Sequence, residues 1–124
     1  MFGLLTVARA YIGSSISDDT RTVFAGGASG GGNFYTGNNT IDYVTTATAS
    51  DATNFGDLTV ARGYSAGSNN ATRAFVAGGW DGTYNAGQTN IIDYFEIQTP
   101  SNATDFGDLS GNYTSMSGCS GNAS

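Results

Sequence analysis

Between Phe2 and Leu109 the chain carries the same text twice, and this repetition constrains its fold more than any other feature. Thr20-Arg21-Thr22-Val23-Phe24-Ala25-Gly26-Gly27 returns as Thr72-Arg73-Ala74-Phe75-Val76-Ala77-Gly78-Gly79, and Ile41-Asp42-Tyr43 returns as Ile92-Asp93-Tyr94. Ala52-Thr53-Asn54-Phe55-Gly56-Asp57-Leu58 returns as Ala103-Thr104-Asp105-Phe106-Gly107-Asp108-Leu109, so the period is 51 to 53 residues. A period of this size marks supersecondary units that each need a neighbour to bury an apolar face.

The residue types within each period favour strands. Nineteen glycines against one proline, with 12% aromatics, suit many short strands joined by tight turns and imply an all-β fold. Only 11% of residues are charged, lysine and histidine are absent, and the net charge is -6. Four scattered arginines cannot neutralise a run of phosphates, which argues against nucleic-acid binding and against anionic membrane surfaces. No stretch approaches the roughly 20 apolar residues that span a bilayer, and no secretory signal pattern opens the chain. Cys119 is the single cysteine, so it has no intrachain disulfide partner.

Aligned, each period divides into four apolar pulses separated by Gly, Asn, Ser and Asp, the pattern of a four-stranded antiparallel meander. The first is Ala10 to Ser15, matched by Gly63 to Ser68; the second is Arg21 to Ala25, matched by Arg73 to Ala77. The second ends at Gly26-Gly27 or Gly78-Gly79, where paired glycines allow positive φ and close backbone approach. Loops Ala28 to Asn39, including a flexible Gly30-Gly31-Gly32 turn, and Trp80 to Thr89 follow and differ most between copies, as binding loops do. The third pulse is Thr40 to Thr46 or Asn90 to Gln98, apolar on both faces; the fourth is Thr53 to Leu58 or Thr104 to Leu109.

These residues resemble the kelch-like repeat of β-propellers. Val23-Phe24-Ala25-Gly26-Gly27, then Tyr43, then Phe55-Gly56-Asp57-Leu58 running to Ala61-Arg62 match its ordered parts, and Phe75-Val76-Ala77-Gly78-Gly79, Tyr94 and Phe106 to Leu109 repeat them. Phe55 and Phe106 stand where kelch units usually have tryptophan. The wording is also similar to long repeat proteins of marine tailed phages, which implies a virion or extracellular location and a structural role. The resemblance implies propeller blades: a fourth-strand overhang at 1–9, repeat units at 10–62 and 63–109, and an incomplete third unit or cap at 110–124.

Propellers close with four to eight blades, and this chain carries about two plus overhanging strands. The expectation is therefore self-association, as a homo-oligomer or filament, or adjacency to further repeats of a longer chain. Simple ring closure is disfavoured, because residues 2–9 would compete with Phe106 to Leu109 of a neighbour for one edge.

Without histidine, most nucleophile–base pairs and zinc or copper sites are excluded, and no cofactor or metal is expected. Asp57 and Asp108, like Asp42 and Asp93, recur at equivalent positions, which points to structural aspartates capping turns or pairing with Arg9, Arg62, Arg21 and Arg73. Asp18-Asp19 reads as a solvated turn rather than a calcium loop. Trp80-Asp81-Gly82-Thr83-Tyr84-Asn85 is the candidate glycan contact, with Trp80, Asp81, Tyr84 and Asn85 offering an aromatic face beside polar groups. Five glycosylation sequons, at Asn38, Asn70, Asn102, Asn112 and Asn122, are the statistical product of an Asn/Thr-rich text.

The leading expectation is a non-enzymatic structural repeat protein of a viral fibre, filament or surface appendage that contacts host glycans. Its rivals are a carbohydrate-binding propeller module, a fragment of a larger kelch-like protein, and a carboxylate-based glycan hydrolase or lyase acting through Asp81.

Overall fold

The computed structural model describes residues 2–31 and 34–119. The described residues contain no helix and form ten strands: β1 (Ser14–Ser17), β2 (Arg21–Ala25), β3 (Ala28–Gly31), β4 (Phe34–Gly37), β5 (Thr40–Thr45), β6 (Thr53–Asp57), β7 (Ala66–Asn69), β8 (Arg73–Ala77), β9 (Thr89–Glu96) and β10 (Thr104–Tyr113). They make two antiparallel four-stranded sheets, β1-β2-β5-β6 and β7-β8-β9-β10, and a two-stranded ribbon, β3-β4. Neither four-stranded sheet closes on itself.

The repeat dictates matching registers. Val23 pairs with Tyr43 in the first sheet, as Phe75 pairs with Tyr94 in the second. The turn between the first two strands is fixed by an Asx cap in both copies: Asp18 accepts from the amides of Thr20 and Arg21, and Asn70 from those of Thr72 and Arg73. Both β2 and β8 stop at glycine pairs with φ of 67° and 121°, or 60° and 115°, which an L side chain resists.

The core lies between the sheets. Ile16, Val23, Ile41 and Phe55 of the first meet Ala74, Val76, Phe95 and Ile97 of the second. Burying a large aliphatic side chain stabilises by roughly 1.5–3 kcal/mol. Because the core cluster draws on both sheets, neither would keep that stabilisation alone, so the two fold as one unit. Polar ties seal the joint: Asn69 donates to the Ser17 carbonyl, Arg21 to the Ile97 carbonyl, and Gln98 to Asp18 and Thr20.

Several expectations need correction. The first strands begin later than the apolar pulses, at Ser14 and Ala66, because Ala10 and Gly63 instead form isolated bridges with Ala28 and Trp80, and the chain turns at Tyr11 and Tyr64 with positive φ. The loop expected over Ala28 to Asn39 contains the ribbon β3-β4, and Gly30 and Gly31 are strand residues rather than turn residues; Gly32 lies outside the described residues. The fourth strand of the second unit runs beyond Leu109 to Tyr113, with irregular register after Asp108. Residues 2–9, expected to form a strand, join no sheet. The part of the expected cap over 120–124 lies outside the described residues.

Candidate functional site

Two side-chain clasps organise the molecule, and each is a copy of the other. In the first, Arg9 Nη1 lies 2.8 Å from Asp42, the Thr6 amide and hydroxyl donate to the same carboxylate, and Arg9 Nη2 donates to the Phe24 carbonyl. In the second, Arg62 Nη1 lies 3.1 Å from Asp93, Thr59 supplies the same two donors, and Arg62 Nη2 reaches the Val76 carbonyl. All four charged side chains are fully buried. Burial pushes the Arg62 guanidinium below its ordinary value, and the Asp93 carboxylate opposes that shift. Thr-Val-Ala-Arg is therefore a latch that carries the chain from one unit into the buried aspartate of the next.

Of the four arginines weighed as partners for the repeated aspartates, Arg9 and Arg62 take that role. Arg21 stacks over Tyr43 at 4.4 Å, while Arg73 stacks over Tyr94 at 4.7 Å and pairs with Glu96. Asp57 is half-buried in β6 and Asp108 exposed in β10, apart from both clasps.

The outward face of the second sheet repeats the inward face of the first. Tyr43 and Phe55 meet edge to face at 5.9 Å and 85°, in contact with the core; Tyr94 and Phe106 meet at 5.9 Å and 80°, with Phe106 56% exposed. Phe75 joins them, 5.1 Å from Phe106. Alternation explains the placement, since Ala74 and Val76 point into the core and Phe75 between them points away. On the opposite side of the molecule the first sheet has a hollow of about 260 Å³ lined by Phe2, Leu5, Ile12, Phe24, Val44 and Ala52. Val44 and Phe24 hold the positions that Phe95 and Val76 occupy in the core.

The candidate glycan loop is tied down by its own groups. The Trp80 indole donates to the Thr83 carbonyl, Asp81 accepts from the Thr83 amide, and Gly87 leaves no room for a side chain beneath the indole. Asn85 sits at φ 64°, and Tyr84 is 84% exposed. Trp80 adjoins a row that sequence reading did not single out: Tyr64 lies 6.4 Å away, stacked on Tyr11 at 4.4 Å, which meets Tyr35 edge to face at 5.1 Å. The signal was available in the equivalence of Tyr11 and Tyr64. The hydrogen bond with Tyr11 pushes the Tyr35 hydroxyl above its ordinary value.

Comparison with protein-family models gives no match, and none of the curated proteins matches the chain.

Proposed function

We propose that the chain is a non-enzymatic structural repeat protein: its sheets are kelch-like propeller blades, and further copies stack on them to build a filament, fibre or surface appendage of the virion type. One observation carries the reading. The Arg73–Tyr94–Phe106 constellation faces outward in the geometry that Arg21–Tyr43–Phe55 uses to bind the next sheet. A sheet face already arranged for packing is an assembly surface. The repeated carboxylates support the non-catalytic side, because Asp42 and Asp93 are spent on arginine and threonine partners.

The experiment is light scattering over a dilution series. Mass rising with concentration supports the proposal, and a constant monomer mass to millimolar concentration overturns it. Glycan contact is a second reading, favoured by the 84% exposure of Tyr84 at the tip of a braced loop. Tyr84→Ala should remove glycan-array signal without lowering the melting temperature; retained signal would count against it.

A further inference from the structure

Three glycines hold equivalent places in the repeat: Gly3, Gly56 and Gly107. Two of them press against the turn of the following sheet. A Cβ at Gly56 would lie 2.2 Å from the Ser101 carbonyl oxygen, and one at Gly3 2.0 Å from that of Ser50. A Cβ at Gly107, where φ is 143°, would meet nothing within 4 Å among the described residues. The hydrogen bonds follow the same series. Ala103 donates to the Asp57 carbonyl at 2.8 Å, and Ala52 to the Leu4 carbonyl at 2.8 Å. The corresponding carbonyl, that of Asp108, lies in β10, the edge strand of the second sheet.

Residues 2–5 therefore stand where the edge strand of a preceding sheet would stand, and among the described residues they join no sheet. They wall the hollow on the first sheet, and Phe2 holds beside Val44 the place that Phe55 holds beside Phe95.

We infer that a second copy of this chain docks the outer face of its second sheet into this hollow. Gly107 and Phe106 of the incoming copy take the seat that Gly3 and Phe2 occupy in the free molecule. This rests on the assembly reading above and adds the site, the register and a built-in competitor. The occupant is a second copy because the two outer faces are the two halves of the interface inside the chain, continued by one period. Sizes exchange across it: Phe75 replaces the smaller Val23 on one half, and Val44 replaces the larger Phe95 on the other.

The handover also has a fixed end. Arg9 is locked to Asp42, so the receiving copy keeps its own chain from Thr6 onward. The incoming copy's residues 113–119 lie along its own second sheet, where Gly79 donates to the Tyr113 carbonyl, Ser115 to that of Tyr64 and Ser68 to that of Cys119, so docking displaces them as well as residues 2–5 of the receiving copy. Leu109 followed by Thr6 restores the Phe-Gly-Asp-Leu-Thr-Val-Ala-Arg text that joins the two sheets within one chain. Ser68, Thr22 and Thr46 stand where the core has Ile16, Ala74 and Ile97, so the contact is weaker than the core and reversible.

The test is sedimentation equilibrium of the full chain beside three variants, each checked by thermal melting. Phe106→Ser alters an exposed ring and should weaken association about tenfold or more with little change in melting. Gly107→Val should abolish it, by placing a side chain against the partner's Ser50 turn. Gly3→Val drives residues 2–5 from their seat and should tighten association. If the parent chain associates and Phe106→Ser and Gly107→Val behave like it, the site is wrong and the assembly reading stands. If Gly3→Val weakens association, the competitor is wrong. A parent chain that never associates overturns both readings.

Discussion

At the scale of single residues, the buried Arg62–Asp93 and Arg9–Asp42 pairs decide how the repeat tolerates change. A charge fully removed from water is costly without its partner, so Asp93→Ala should destabilise by about 3–5 kcal/mol. Arg62→Met with Asp93→Leu should cost less than Asp93→Ala alone, because no charge is left stranded; chemical denaturation of the two variants reads the difference. Asp18 gives a pH dependence. Burial works to raise its pKa, but hydrogen bonds from Gln98, Thr20 and Arg21 outweigh this and hold it below the ordinary value. A carboxyl lowered on folding contributes stability that is complete above its unfolded pKa of about 3.9 and is lost as pH falls through the folded value. Melting temperature should therefore fall in acid, and less so in Gln98→Ala, where much of the lowering is gone. That the aspartates recur was legible in the text; which arginine each meets was not. Arg21 stacks over Tyr43 on the opposite face of the sheet from Asp42, and the path of residues 6–9 brings Arg9 to that carboxylate.

At the scale of elements, the second strands were readable to the residue, because β-branched and aromatic runs ending in Gly-Gly mark both limits. The ribbon β3-β4 escaped, since Ala-Ser-Gly-Gly lacks the apolar alternation that announces a strand. Its pairing is held by backbone bonds and by the bridge between Ala10 and Ala28. Residues 2–9 misled in the opposite way: they carry strand text yet pair with no strand among the described residues. Close approach sets the next prediction. Gly56→Val should destabilise the chain by several kcal/mol, because its Cβ meets the Ser101 backbone. Gly107→Val should cost less in the unassociated chain, where only backbone strain at φ 143° opposes it; the two melting temperatures make the comparison.

At the scale of the whole molecule, the period predicted two four-stranded sheets and the described residues form two, beside the β3-β4 ribbon, packed so that each hides one face and offers another. The exposed halves could not be read from the text, since Phe55 and Phe106 are the same letter, and only their position in the stack makes one buried and the other open. Copies carrying a net charge of -6 repel one another, so added salt should strengthen association, measurable as a rise in scattering mass between low and moderate ionic strength. The most direct measurement of the outer-face account is an isotope-filtered NMR experiment on an equal mixture of labelled and unlabelled chains at high concentration. Intermolecular transfer between the Phe106 and Tyr94 rings of one copy and the Val44 and Ile12 methyls of the other is the predicted result. Transfer confined to other surfaces, or none at all, would contradict it.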